Sequence, residues 1–156
     1  MTIVHLNGVD PGLVHTGVVD LLIDNQKRNI RVQAHVIDGP DVAAVAAKVD
    51  RKALLYIEKY EDRGTSFDTH QEMRAFETML RRELPHATVL SNTGVRKVVT
   101  DMMLSVLVGD LPTTNHKDLE SAARIALYGG LKIPAINSVL YHATIDHLAG
   151  RSWARS

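Results

Sequence analysis

Cysteine is absent from this sequence, which excludes disulfides, thiolate metal sites and cysteine nucleophiles together. Long apolar runs are absent too, and none approaches the roughly 18 residues that a membrane-spanning helix requires. The first ten residues, MTIVHLNGVD, carry no basic region, and their apolar run is broken early, unlike a signal peptide. We therefore expect a cytoplasmic protein without membrane contact.

An excess of charge of either sign is also missing, because 18 Lys and Arg residues balance 18 Asp and Glu residues. A strongly basic chain would have favoured a nucleic-acid partner. A neutral sum excludes nothing here, since a basic face and an acidic pocket cancel each other. The length of 156 residues, with 45% apolar and 23% charged residues, predicts one globular domain over residues 1–156.

Hydrophobic patterning and turn signals predict an α/β fold. Strands are predicted over 2–9, 15–23, 30–37, 53–60 and 87–92. Helices are predicted over 41–52, 67–84, 94–110, 118–131 and 135–148. Short connections between the first three strands indicate an antiparallel meander, so the prediction is a mixed five-stranded sheet flanked by helices.

Two carboxylates stand at positions where buried strands favour apolar residues, and a third begins a helix. Asp10 closes the first strand, Glu58 lies in the fourth, LLYIEKY, and Asp118 follows a polar loop. If strands 1 and 4 lie side by side, Asp10 and Glu58 come together, and a helix reaching the same sheet adds Asp118. Clustered carboxylates repel unless they are protonated or bridged by a hard cation such as Mg²⁺. Metal sites of this kind perform phosphoryl transfer.

Each carboxylate also has a structural explanation. Asp10 precedes Pro-Gly and can serve as a turn residue, and Glu58 can be a solvated strand end. Asp118 can be a helix N-cap or a first-turn residue that complements the helix dipole. Their order along one coherent fold is what favours a shared site.

Three segments resemble the motifs of RuvC-type Holliday-junction resolvases. GVDPGLVHTGVV is similar to their first-strand motif, LYIEKY to their fourth-strand motif, and DLESAARIALYGGL to their last active-site helix. Together they cover the chain from about residue 3 to residue 131. The resemblance implies an RNase H-like fold, a homodimer, and cleavage of four-way DNA junctions with Mg²⁺, for which Mn²⁺ can substitute. The compact length suggests a phage-encoded member acting in the host cytoplasm.

The resemblance also implies that Asp10, Glu58 and Asp118 are catalytic metal ligands. The family places a fourth carboxylate one helical turn after the third, where this sequence has Ser121. Ser121 acting through a metal-bound water, Glu120 and His116 are alternatives for the missing ligand. Glu120 is disfavoured if Asp118 lies within the helix, because two residues correspond to about 200° of rotation.

Basic and aromatic residues near these motifs are the predicted DNA contacts. Arg96 and Lys97 resemble the basic segment that the family places near the scissile phosphate, where Lys97 would stabilise developing charge; a solvated helix start is the alternative. Arg63, Phe67 and His70 follow Glu58, in a region that reaches into the junction in the family. For Phe67, packing of its helix is the favoured alternative.

The helix over 67–84 bears on the expected dimer. Met73, Phe76, Met79 and Leu80 share one of its faces, which is either core or subunit contact. The family pairs its subunits partly through this helix, which favours a homodimer.

The resulting prediction is a metal-dependent endonuclease that hydrolyses phosphodiesters in Holliday junctions, with forks and flaps as further substrates. Recombination, repair and the removal of branches before DNA packaging are roles compatible with such an enzyme. The alternative is a branched-DNA-binding protein that cuts little or not at all, because Ser121 replaces an acid. A sugar-kinase-like ATPase is disfavoured, since it would need a second glycine-rich phosphate loop and a second domain, for which 156 residues leave no room.

Overall fold

The computed structural model describes residues 3–62 and 64–156. Arg63, one of the predicted DNA contacts, lies outside the described residues. Within these ranges no helix combines the length and the hydropathy needed to cross a membrane.

The described residues form one mixed sheet with the strand order β5-β4-β1-β2-β3-β6. The strands are β1 (Ile3–Asp10), β2 (His15–Asp24), β3 (Asn29–Asp38), β4 (Leu54–Glu58), β5 (Thr88–Leu90) and β6 (Ala154–Arg155). The antiparallel meander β1-β2-β3 and the five predicted strands are confirmed, and β4 and β5 run parallel to β1. The sheet gains a sixth strand that the sequence did not predict, because two residues are too few to carry a period.

Six helices surround this sheet in the described part of the chain. They are α1 (Val42–Lys48), α2 (Phe67–Glu83), α3 (Val95–Val98), α4 (Asp101–Leu107), α5 (His116–Leu131) and α6 (Pro134–Leu148). The prediction that residues 94–110 are helical for most of their length is confirmed, but they form two helices, α3 and α4, with a break around Val99 and Thr100. Thr100 caps α4 by accepting a hydrogen bond from Met103 N at 3.2 Å, a role that its hydroxyl performs well.

The helices pack on both faces of the sheet, giving a core on each side. On one face α4, α5 and α6 cover sheet side chains such as Leu6, Leu21 and Ile23. On the other, α1 and α2 cover Val9 and Ile57 among others.

The apolar face of α2 divides into a buried and an exposed part. Met73, Phe76 and Leu80 are buried in the core, as one of the two sequence alternatives requires. Met79 is 54% exposed and does not belong to the core. The subunit contact through this helix stays a prediction.

Helix α5 lies unusually close to the sheet because two glycines face it. A Cβ at Gly8 would lie 1.9 Å from the Ala122 carbonyl oxygen, and one at Gly17 would lie 2.5 Å from the Asp118 carbonyl oxygen. These contacts are closer than real Cβ atoms allow, so β1 and β2 can carry no side chain at Gly8 and Gly17. The start of α5 is thereby placed at the end of β1, where Asp10 lies.

The C-terminal residues form hydrogen bonds with α6 and pair with the edge strand of the sheet. The buried Trp153 donates from its indole nitrogen to Asp146 Oδ2 at 2.9 Å, and Arg151 donates to Asp146 Oδ1 at 3.2 Å. Ala154 and Arg155 then pair with the start of β3. This tail covers part of an edge strand that would otherwise expose unpaired backbone groups.

Candidate metal and DNA site

The sheet topology brings Asp10 and Glu58 together. β1 and β4 are adjacent and parallel, with Val9 paired to Ile57, so the next residue of each strand lies at the same edge of the sheet. A hydrogen bond joins the carboxyl groups of Asp10 and Glu58. The predicted adjacency of strands 1 and 4 is therefore confirmed.

Asp10 is the electrostatically unusual member of this pair. Burial of its carboxyl raises the pKa of Asp10 from 3.8 to about 9, and the hydrogen bond and the repulsion from Glu58, then the repulsion from Asp118, add to this shift. The half-buried pair thus retains a proton at neutral pH. A cation is the other means of relieving the same repulsion.

The loop after β5 holds two carboxylates at this edge. Asn92 Nδ2 donates to Glu58 Oε1 at 2.6 Å, and Ser91 Oγ donates to Glu61 Oε1 at 2.6 Å. Ser91 and Asn92, which are consecutive in this loop, therefore orient Glu58 at the end of β4 and Glu61 just beyond it. Sequence reasoning missed Glu61, although the spacing in EKYE puts a second Glu three residues after Glu58.

These groups open onto a cleft of about 270 Å³. Both carboxylates of the pair line it, as do Glu61 and Ser121. The complete lining is Asp10, Pro11, Glu58, Lys59, Tyr60, Glu61, Asn92 and Ser121. The position at which the resemblance expects a fourth acid is therefore at the cleft, with a hydroxyl in place of a carboxylate.

The other two alternatives for the missing ligand, Glu120 and His116, line a neighbouring cleft and not this one. Asp118 lies in the first turn of α5, after Asn115, so Glu120 points elsewhere, as its angular offset predicts. Glu120 instead pairs with His116 at 3.2 Å and with Arg124 at 2.9 Å. Of the three alternatives, Ser121 is the one that lines the carboxylate cleft.

The arrangement of the predicted ligands decides which metal ions they can hold. Across residues 3–62 and 64–156, no three His, Asp or Glu side chains are arranged closely enough to hold a cation as one group. Mg²⁺, however, is commonly bound through one or two carboxylates, with waters and substrate phosphates completing its shell. The Asp10–Glu58 pair, with one proton between two acids, fits this pattern, and Asp118 is near enough to raise the pKa of Asp10.

A second cleft, of about 420 Å³, contains Glu58 together with the predicted basic segment. Glu58, Asn92 and Ser121 line this cleft, and so do Arg96 and Lys97. The Arg96 side chain is 75% exposed and contacts Glu120 at 3.8 Å. The two basic residues therefore lie beside the carboxylates, as the resemblance implies, and they are open to a polyanion.

Tyr60 and Asp62, which follow Glu58, both contact His70 on α2. His70 Nδ1 lies 3.3 Å from the Tyr60 hydroxyl and 3.6 Å from Asp62 Oδ2, and its ring packs against that of Tyr60. His70 thus contacts both Tyr60 and Asp62, and its DNA contact stays a prediction. Phe67 is 74% exposed, so the interpretation of Phe67 as a helix-packing residue is wrong.

No family model matches the sequence, and no curated protein matches it. The fold is similar to that of T. thermophilus RuvC solved in complex with a Holliday-junction substrate. The TM-score is 0.59 at 12% identity, and the match covers 98% of this chain and 99% of RuvC.

Two further solved structures are more distant. A Fowlpox virus resolvase, solved with a substrate Holliday-junction DNA, matches at a TM-score of 0.45 and 14% identity, over 86% of this chain and 97% of that one. The large terminase nuclease of the thermophilic phage G20c matches at 0.32 and 12% identity, over 80% and 81%. The likeness to RuvC over nearly the full length of both chains defines the class of protein: an RNase H-like α/β fold. More particularly, this is the fold of RuvC, and the fold predicted from the three sequence motifs is confirmed.

Proposed function

We propose that this protein is a divalent-metal-dependent endonuclease that resolves Holliday junctions and cuts other branched DNA. The observation that carries the proposal is the Asp10–Glu58 carboxyl pair at the ends of adjacent parallel strands, next to a cleft lined by Arg96 and Lys97. Acids that share a proton beside exposed basic residues suit a cation and a phosphodiester together. The likeness of the fold to RuvC supports the same assignment.

In this proposal Asp10 and Glu58 hold Mg²⁺ or Mn²⁺, with Asp118 as the third predicted ligand and Ser121 at the remaining position. The cation supplies Lewis acidity toward the scissile phosphate. Asn92 fixes the orientation of Glu58 through its 2.6 Å hydrogen bond, as residues behind a metal ligand commonly do. Loss of the proton from Asp10 is required before its carboxylate can act as a ligand.

Lys97 and Arg96 are proposed to bind the DNA backbone beside the carboxylates. Both line the cleft that contains Glu58, so a phosphate held there would contact the basic pair close to that carboxylate. Lys97 would balance negative charge that develops on the phosphate during cleavage. His70 and Arg63 are proposed as further DNA contacts on the arm of the junction that faces the turn after Glu58.

A homodimer is part of the proposal, because twofold symmetry places two such sites on opposite strands of one junction. The exposed Met79 on α2 supports a subunit contact through this helix. A cytoplasmic enzyme with a single domain over residues 1–156, encoded by a phage, completes the proposal.

A branched-DNA-binding protein with little or no cleavage is the second candidate. Two observations favour it: Ser121 occupies the cleft position of an acid, and the described acidic residues do not gather three ligands into one group.

The two candidates are separated by incubating synthetic four-way junctions with the protein in Mg²⁺ or Mn²⁺. Linear, fork and flap DNAs of matched sequence serve as substrate controls, and Asp10→Asn as the protein control. Paired nicks that disappear in Asp10→Asn support the endonuclease. Tight junction binding without nicks in either metal supports the binding protein, and failure to prefer any branched DNA contradicts both.

A further inference from the structure

One buried charged side chain in the described structure lies outside the cleft that contains both Asp10 and Glu58. The side chain of Arg124, on α5, is only 5% exposed. A buried guanidinium is costly unless its hydrogen-bonding groups are satisfied. Its partners therefore indicate what it is there to hold.

Arg124 joins three separate elements. Its Nη1 donates to the Val99 carbonyl oxygen at 2.5 Å, and its Nη2 contacts the Asp101 carboxylate. Nη2 also donates to Glu120 Oε1 at 2.9 Å. Val99 directly follows α3 and Asp101 begins α4, so the guanidinium sits at the break between these helices and ties both of them to α5.

The segment that Arg124 holds is the one that carries the basic pair. α3 has four residues, Val95–Val98, and begins at Gly94 without a side-chain cap. One helical turn is unstable by itself, since nucleation costs more than a single turn returns. The buried side chains of Val95 and Val99 anchor one face, and Arg124 fixes the carbonyl at the C-terminal end.

The location of Arg124 relates this anchoring to the site. It lines the cleft that contains Glu58, Ser121 and Lys97, and also the neighbouring cleft that contains Arg96 and Glu120. Glu120, which accepts from Arg124, lies 3.8 Å from Arg96 Nη2 as well. A single buried cation thus orders the backbone and one partner of the exposed basic pair.

We propose that Arg124 is a positioning residue that fixes Arg96 and Lys97 at the distance from the carboxylate pair needed to bind the DNA backbone. This inference rests on the proposed function for the identity of the ligand. The anchoring of α3 by Arg124 does not depend on the proposed function, because it can be measured without DNA.

The test compares the wild-type protein with Arg124→Lys, which keeps the charge but loses the planar guanidinium fork. Asp101→Ala is the second variant, since the Asp101 side chain is 88% exposed and its removal leaves no cavity. Arg31→Lys, on the exposed side of β3, is the matched control. The three measurements are hydrogen exchange of residues 94–101, affinity for a four-way junction, and Mn²⁺ affinity from thermal shifts.

Arg124→Lys should raise the exchange rate of residues 94–101 by about tenfold or more, because local opening becomes easier. Junction affinity should fall by roughly five- to tenfold as the phosphate contacts become disordered. Mn²⁺ affinity should stay within about twofold, because the carboxylate pair is untouched. Asp101→Ala should show the same pattern more weakly, and Arg31→Lys should match the wild type.

Unchanged exchange over residues 94–101 in Arg124→Lys would overturn the anchoring. Faster exchange with unchanged junction affinity would overturn the link to DNA binding. If Arg124→Lys does not fold, Asp101→Ala decides by the same two criteria. If the wild-type protein does not bind four-way junctions, the proposed function is overturned instead. The exchange measurement then still decides whether Arg124 holds α3.

Discussion

Asn92 and Glu58 are joined by a 2.6 Å hydrogen bond from the side-chain amide to Oε1, so the loop after β5 controls the direction of a carboxylate on β4. Asn92→Ala should lower Mg²⁺ affinity and junction cleavage by about 10- to 100-fold, the usual cost of losing such a partner. Mg²⁺ titration of the cleavage rate measures both effects. Gln26→Ala, in an exposed turn, is the control, and an unchanged titration curve for Asn92→Ala would contradict the proposed role.

Asp10→Asn should stabilise the metal-free protein while abolishing cleavage. The folded state raises the pKa of Asp10 to about 9, so it binds a proton that the unfolded chain has released above about pH 4. Stability from this proton is complete below pH 4 and is lost as the pH rises toward 9. The wild-type melting temperature should therefore fall over this range relative to that of Asp10→Asn.

Mg²⁺ provides the second half of the same test. It should raise the melting temperature of the wild type at pH 8 and leave Asp10→Asn unchanged, because a ligand that binds the folded state stabilises it. Equal pH profiles for the two proteins would show that Asp10 does not carry the proton.

Ser121→Asp should tighten metal binding, because Ser121 lines the same cleft as Asp10 and Glu58. A third carboxylate adds repulsion in the metal-free protein and a ligand for a hard cation. We expect a lower melting temperature without metal, and about a tenfold lower Mg²⁺ dissociation constant, equivalent to ~1.4 kcal/mol. Ser121→Ala is the control for loss of the hydroxyl, and weaker Mg²⁺ binding by Ser121→Asp would contradict the assignment of this position.

Glu61→Gln should weaken Mn²⁺ binding less than Asp10→Asn does. Glu61 lines the carboxylate cleft and accepts from Ser91, but it lies on the turn beyond the strand end. We expect the Mn²⁺ dissociation constant to rise about threefold, because the substitution removes a nearby charge and not a ligand. Isothermal titration measures it, with Glu72→Gln on α2 as the control. A loss as large as that of Asp10→Asn would make Glu61 a direct ligand.

Asp146→Asn should destabilise the fold without changing the cleft. The hydrogen bond from Trp153 keeps the pKa of Asp146 below its usual value, with the hydrogen bond from Arg151 and the charges of His142 and Arg151 adding to it. A depressed pKa contributes stability above about pH 4 that is lost as the pH falls through the folded-state value. The melting temperature of Asp146→Asn should thus be lower at pH 7 and approach that of the wild type in acid. A difference in melting temperature between the two proteins that is the same at every pH would contradict this.

The carboxylate pair was predictable from the sequence for a topological reason. A meander followed by a helix and a fourth strand leaves that strand beside the first, so Asp10 and Glu58 had to meet if they ended parallel strands. The break at Val99 was not predictable, because the segment from Val95 to Leu107 contains neither glycine nor proline. The break depends on the Thr100 cap and on Arg124, whose partners are 23 and 25 residues away.

Other features of the site depend on contacts that no local pattern encodes. Glu61 reads as a loop residue until Ser91, 30 residues later, orients it. Glu120 and His116 were reasonable ligands by residue type, and only their pairing with each other and with Arg124 directs Glu120 elsewhere. Residue types thus indicated the chemistry, while long-range packing decided which side chains face the cleft.

The bare backbone at Gly8 and Gly17 has a consequence for reading inactive variants. Because α5 rests on these positions, a single added methyl group would push the whole helix outward. Asp118 and Ser121 would move together, away from Asp10 and Glu58, with every acidic residue still in the sequence. A survey that judges activity by the presence of the acids would score such a variant as intact, so positions 8 and 17 need to be inspected alongside them.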